Sequence, residues 1–300
     1  MSKKAVLFCG STENTLINRV IRNLREKYEI QVEFHNPNTY SIELSKYNQF
    51  LNKFDLVVAK VDGLSTLDIL HNAKINGIPS INTFESVYTC TNRIALDNAL
   101  RKTFSENEGV CANFSMPESW LHPSPLKNIH KFKIWASSKL PIVFKSHLQH
   151  NDFFRFNFLA RKPNEIDDFV VNYKDSLYFD LYIQNFIKCD GFDRKVYVVG
   201  DKIYGIKREN PIYIFLREQP ETIDVESLER KNIDLSEDIR QLARLLSNEL
   251  NLDIFGFDLV KATHKEGYYL IDLNDFPGFK GIENIDQIIA DYIAIYLDQV

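Results

Sequence analysis

Residues Phe255–Gly278, FGFDLVKATHKEGYYLIDLNDFPG, decide the fold of this chain. Asp258 closes one apolar run, and Asp272 and Asn274 stand at i and i+2 on the next, so the last two share one face of a strand. If the two runs are neighbouring strands, three oxygen ligands converge on one point. Two carboxylates and an amide oxygen suit Mg²⁺, a hard cation that also takes substrate phosphates and needs neither thiolate nor imidazole. The expectation is a site for ATP with Mg²⁺. A plain hairpin whose acidic residues face water would show the same spacing, so the context on either side has to decide.

Upstream, Ser236 to Leu250 carries Ile239, Leu242, Ala243, Leu246 and Leu250 at helical spacing behind a cap at Asp234 or Ser236. Before it, RKVYVVGDKIYGIKRE (194–209) reads as a β-hairpin turned by Gly200-Asp201. LPIVFKS (140–146), a polar helix near Glu165 to Tyr173 and LYIQNFI (181–187) form another group, set off by a Pro- and Ser-rich loop from Met116 to Leu126 and a helix from Val87 to Thr103. The first 85 or so residues alternate β-rich runs with helical patterns, which argues for a small open parallel sheet wrapped by helices. Its first loop, Gly10-Ser11-Thr12-Glu13-Asn14, lacks the glycines of a dinucleotide fingerprint. The domain is therefore expected to be Rossmann-like without a dinucleotide.

At 300 residues, 44% hydrophobic and 26% charged, the chain has the composition of a globular protein with room for two or three subdomains around one cleft. No apolar run approaches the roughly 18 residues of a bilayer span, and the apolar stretch near the N-terminus is too short for a signal sequence, so a cytoplasmic protein without a membrane partner is expected. The four cysteines, Cys9, Cys90, Cys111 and Cys189, follow no metal or redox spacing and read as small buried side chains with free thiols. A net charge of −5 gives no support to a nucleic-acid partner. A phosphorylated small molecule would need a local basic pocket.

The motifs Phe255-Gly256-Phe257-Asp258 and Asp272-Leu273-Asn274-Asp275-Phe276-Pro277-Gly278-Phe279 resemble the F-G-x-D and D-[IL]-N-x-F-P-G-[YF] strands of the ATP-grasp superfamily, and within it of the inositol 1,3,4-trisphosphate 5/6-kinase family. RimK-type carboxylate–amine ligases, which share the platform, carry Glu where this chain has Asp272. The resemblance covers nearly the whole length. It implies an α/β (α+β) ATP-grasp fold with an N-terminal Rossmann-like domain over residues 1–86, a central subdomain over 87–186 and a C-terminal subdomain over 187–300. Asp258, Asp272 and Asn274 would hold Mg²⁺.

By the same resemblance, Arg93 and Lys145 would reach the ATP phosphates. Gln184, Asn185, Phe186 and Ile187 would form the hinge that reads adenine through backbone groups. Lys60, His150, Lys195, Arg208 and Gly278 would face an inositol phosphate, with His150, Lys195 and Arg208 nearest the transferring group and Lys207 on the opposite face. A lid over 148–156 would exclude water. The implied enzyme is a cytoplasmic, monomeric inositol polyphosphate kinase using ATP and Mg²⁺. A RimK-type amino-acid or peptide ligase working through an acyl phosphate is the alternative, and a nucleotide-binding protein without turnover a third. Departures fall on the substrate side. The family's Gly-containing loop with a second histidine is Asn151-Asp152-Phe153-Phe154-Arg155-Phe156 here, its Pro-Ser after Arg208 is Glu209-Asn210, and an N-terminal lysine has no counterpart in CGSTEN.

Overall fold

The structure is a computed structural model and describes residues 3–60, 63–148, 156–219, 223–225 and 227–300. The N-terminal unit is a parallel sheet of β1 (Ala5–Cys9), β2 (Gln31–His35), β3 (Leu56–Ala59) and β4 (Ser80–Ile81) in the order β2-β1-β3-β4. β1 and β3 are almost wholly buried, as parallel strands covered on both faces should be, and they read as continuous apolar runs. The helix Thr15–Lys27 on one side is capped by Asn14, whose side chain accepts from the Leu16 and Ile17 amides.

β5 (Phe114–Ser115), β6 (Ser119–His122), β7 (Ile142–Ser146), β8 (Asn157–Ala160), β9 (Leu181–Asn185), β10 (Cys189–Val199), β11 (Lys202–Glu209), β12 (Arg230–Asn232), β13 (Ile254–Ala262) and β14 (Tyr268–Asp275) form two further sheets. The smaller one is antiparallel, ordered β6-β9-β7-β8. Its outer face packs Phe132, Phe144, Phe169 and Ile183 into an aromatic core with the helices Ile129–Ser137 and Pro163–Asn172. The larger sheet runs β12-β11-β10-β13-β14-β5. A two-residue turn at Gly200-Asp201, with Gly200 at φ 57°, joins β10 to β11 as the sequence suggests.

Alternation along β13 sorts its residues. Phe255, Phe257 and Leu259 enter a core with Leu242 and Leu246 of the helix Glu237–Leu250 and Leu96 and Leu100 of the helix Arg93–Glu106. On the opposite face Ile254 joins Tyr197, Val199, Phe276 and the helix Ile285–Leu297 in a core shared with the N-terminal unit. Asn82, just beyond β4, ties the same units together: its Nδ2 donates to the Ile254 carbonyl at 2.7 Å and its Oδ1 accepts from the Asp253 and Ile254 amides at 2.8 and 2.9 Å. The remaining part of that face carries the polar residues of the cleft.

Two details differ from the reading of the sequence. The expected helix 87–103 is two, Phe84–Thr91 and Arg93–Glu106, because Asn92 is extended (φ −100°, ψ 107°) and its side chain caps the second. This second helix and β5 pack on the larger sheet, not the smaller one. The loop 116–126 contains β6, a strand held between Pro117 and Pro123. Among the described residues no helix is long and apolar enough to cross a membrane, and all four cysteines are buried with free thiols.

Candidate active site

One row of side chains crosses the open face of the larger sheet. Lys195 on β10 pairs in register with Asp258 on β13, and Asp258 pairs with Asp272 on β14. Direct cross-strand partners share a face, so the three lie side by side. Lys195 Nζ donates to Asp258 Oδ2 at 2.5 Å. Asn274, two residues past Asp272, lies on the same face, with its Nδ2 at 3.4 Å from Asp272 Oδ2. Asp258, Asp272 and Asn274, the three residues singled out in the sequence, therefore share one face of the sheet.

The glycine of the first motif has a steric reason. A Cβ on Gly256 would come within 2.8 Å of Tyr197 Cδ1 and 3.0 Å of Pro277 Cγ, so the turn that follows β14 can only lie against a bare backbone. That turn holds Phe276 and Phe279 at φ 38° and 50°, a region costly for side chains with a Cβ. Both rings are fully buried, and that packing offsets the backbone strain. Lys60, from the loop after β3, donates to the Phe276 carbonyl at 3.1 Å. Gly278 sits exposed in the same turn.

A β-bulge between Leu270 and Asp272 leaves Ile271 without a register partner on β13. The Ile271 carbonyl is aimed at the smaller sheet, where Lys145 Nζ donates to it at 3.0 Å and to Gln184 Oε1 at 2.9 Å. Lys145 thus bridges the two sheets across the cleft floor. Burial lowers its pKa to about 8, against the pull of Asp272 and with Arg93 adding to the lowering. Such a lysine lacks enough nearby negative charge, which a polyphosphate would supply.

Arg93, only 4% exposed, donates from Nη1 to Asp272 Oδ1 at 2.9 Å. Its position is set by the helix start: Asn92 caps the Ile94 and Ala95 amides, and the Arg93 amide donates to the His147 carbonyl at 3.2 Å. Burial pushes the Asp258 carboxyl above the usual carboxylate range; Lys195 opposes that, while Asp193 and Asp272 reinforce it. Two further N–H groups, Arg93 Nε and Arg208 Nε, are buried with no hydrogen-bond partner among the described residues. Spare donors beside crowded carboxylates suit a polyanion bound with a cation. No three His, Cys, Asp or Glu side chains among the described residues cluster as a metal site on their own. Mg²⁺ does not need them, since one or two carboxylates with phosphate oxygens and water complete its shell.

Arg208 projects onto the same face as Lys195, whereas Lys207 turns away and lies 3.9 Å from the Phe192 ring. Arg208 is held by a residue the sequence reading missed: Asp193, 3% exposed, accepts from Arg208 Nη2 at 2.9 Å and from Asn210 Nδ2 at 2.5 Å. Asn210 Oδ1 in turn caps the helix Pro211–Glu218 through the Ile212 and Tyr213 amides. The departure Glu209-Asn210 thus has a structural use. Asp193 was findable, because it stands two residues before Lys195 on one strand.

At the hinge, the Asn185 and Phe186 amides donate to the Glu118 and Pro141 carbonyls at 2.8 and 3.1 Å. The Ile187 amide has no partner among the described residues. The Gln184 side chain is buried and bonded to Lys145 and Tyr182. His150 and most of the expected lid, 149–155, lie outside the described residues.

The family described as the inositol 1,3,4-trisphosphate 5/6-kinase ATP-grasp domain matches residues 214–295. Among curated relatives, inositol-tetrakisphosphate 1-kinase 1 of Arabidopsis thaliana is 23% identical over 280 residues, covering 80% of each chain. The protein of the same name from Oryza sativa subsp. indica is 28% identical over 131 residues, 38% of this chain and 37% of its own length. A RimK domain ATP-grasp protein from Sphaerobacter thermophilus superposes with TM-score 0.68 at 14% identity, over 98% of this chain and 99% of that one. D-alanine–D-alanine ligase from Bacillus anthracis complexed with ATP gives 0.67 at 14%, over 99% and 97%. Structural likeness at such identities establishes the fold, and the sequence likeness points within it. The chain has the ATP-grasp fold, and its sequence is similar to the inositol-tetrakisphosphate kinases.

Proposed function

We propose that the protein transfers the γ-phosphate of ATP, bound with Mg²⁺, to a hydroxyl of an inositol polyphosphate. The observation that carries this reading is the row Lys195–Asp258–Asp272, with Arg93 and Lys145 converging on its β14 end. Asp258, Asp272 and Asn274 would hold the metal, which supplies charge neutralisation at the phosphate oxygens. Lys145 and Arg93 orient the ATP phosphates. The Ile187 amide and neighbouring hinge carbonyls read the base, with Phe186 against it. Lys195 and Arg208 lie where charge spreads during transfer and stabilise it electrostatically. Lys60, Gly278 and His150 contribute to the acceptor side, and the lid around 148–156 excludes water. Phosphoryl transfer through a loose transition state asks mainly for positioning, so no general base is assigned.

Asp272 favours a kinase, because its carboxylate is one methylene shorter than the Glu of RimK-type ligases and reaches less far from the strand. The second reading, an amino-acid or peptide ligase working through an acyl phosphate, is supported by the likeness of the fold to the RimK domain and D-alanine–D-alanine ligase structures. We place the protein in the cytoplasm as a monomer, with an N-terminal domain ending near 86 and a central subdomain ending near 186, from which Arg93–Glu106 and β5 cross to the larger sheet. Mg²⁺-dependent ADP formation across a panel of inositol phosphates and amino acids tests the proposal. Stimulation by an inositol phosphate supports it; stimulation by an amino acid alone moves the protein to the ligase class.

A further inference from the structure

Behind the hinge, four side chains form a chain of hydrogen bonds with a fixed direction. Lys145 Nζ donates to Gln184 Oε1 at 2.9 Å, Gln184 Nε2 donates to Tyr182 Oη at 3.2 Å, and Tyr182 Oη donates to Asp97 Oδ1 at 2.8 Å. The direction is set at both ends. An ammonium only donates, and the Asp97 carboxylate, paired with Arg101 Nε at 2.7 Å and accepting from Ser119 Oγ at 2.7 Å, only accepts. Tyr182 has one hydroxyl proton, and it donates that proton in its hydrogen bond to Asp97. Burial and the Asp97 carboxylate raise the Tyr182 pKa, so the proton stays on the phenol. The Tyr182 oxygen can then only accept from Gln184, which forces the Gln184 amide to present Nε2 to Tyr182 and Oε1 towards Lys145.

We propose that Tyr182 and Asp97 are positioning residues that act through Gln184 to make the cleft select adenine over guanine. The inference rests on the nucleotide reading above. Adenine carries a donor at N6 where guanine carries an acceptor at O6. A locked carbonyl on Gln184 accepts from the first and opposes the second. The lock comes from one helix: Asp97 lies one turn beyond Arg93, which holds Asp272, so Arg93–Glu106 organises both the base side and the metal side of the cleft. Arg93, Asp97, Tyr182, Gln184 and Asp272 line one small cavity of about 20 Å³ with Leu96, Leu100 and Leu273.

The test is calorimetric binding of MgATP and MgGTP to the full chain, in two backgrounds. The wild type should favour ATP. Tyr182→Phe leaves Gln184 Nε2 buried without an acceptor and frees the amide to turn, which should lower the ATP:GTP affinity ratio about tenfold or more. In a Gln184→Glu background the same change should leave the ratio unaltered, because a carboxylate has no donor to satisfy and presents an acceptor either way. If Tyr182→Phe does not fold, Asp97→Asn, which releases the Tyr182 proton, should give the same pattern. An equal fall in both backgrounds would mean a merely structural role and overturn the inference, as would an unchanged ratio in the Gln184 background or a wild type indifferent to the base. A wild type that binds neither nucleotide would instead overturn the nucleotide reading, and this inference with it.

Discussion

Arg93 and Asp272 stand 179 residues apart in sequence and meet at 2.9 Å in the cleft, one at the start of a helix and the other on the strand expected to bind the metal. Because Arg93 is almost fully buried, Asp272 keeps a guanidinium neutralised as well as offering oxygen to the proposed cation.

Asp272→Asn is therefore expected to abolish turnover and also to lower stability by about 1–3 kcal/mol, since the amide keeps an acceptor for Arg93 but removes the charge. A thermal melt beside an ADP assay measures both. Near-normal turnover would remove Asp272 from the metal site, and an unchanged melting temperature would show that the ion pair contributes little.

Lys60 holds the Phe276 carbonyl from the N-terminal unit. Lys60→Ala should raise the KM for a phosphorylated acceptor while changing ATP affinity less than about twofold. A matching loss of ATP affinity would mean that the residue serves the nucleotide side instead.

The Asp193–Asn210 bond fixes Arg208. Asn210→Ala removes both the cap of Pro211–Glu218 and one Asp193 partner. It should cost about 1 kcal/mol of stability and lower kcat more than it raises the KM for ATP. A change in the KM for ATP alone would contradict the placing of Arg208 at the transferring phosphate.

Lys145 gives a pH signature. Its folded pKa of about 8 lies below the ordinary 10.5, so between those values the unfolded chain binds more protons than the folded one. The burden of burying this charge is fully present below about pH 8 and is relieved as pH rises towards 10.5. Nucleotide phosphates should pull the pKa back up. ATP binding near pH 8 is then expected to take up protons and to weaken as pH rises above it. Calorimetry in buffers of different ionisation enthalpy would show the uptake; its absence would mean that Lys145 does not meet the phosphates.

Much of the fold was legible because strand patterns at Val6–Phe8, Val57–Val58 and Phe255–Leu259 are long and apolar, and because Gly200-Asp201 and Ser236 are strong local punctuation. That Asp272 and Asn274 share a face was legible because i, i+2 spacing fixes a strand face. The break at Asn92 and strand β6 were not, since each depends on a distant partner: His147, whose Nε2 lies 3.0 Å from Asn92 Oδ1, and β9, which pairs with Trp120 and Leu121. Tyr182 and Asp97 were silent for the same reason. A buried tyrosine on a strand and an aspartate on a helix look ordinary until the fold brings them together.

The most direct measurement follows the label from γ-³²P-ATP in the presence of Mg²⁺ and a mixture of inositol phosphates and amino acids. The account requires label on a more highly phosphorylated inositol, lost in Asp258→Asn. Label appearing only as orthophosphate, in step with amide-bond formation, would contradict it and assign the cleft to a ligase.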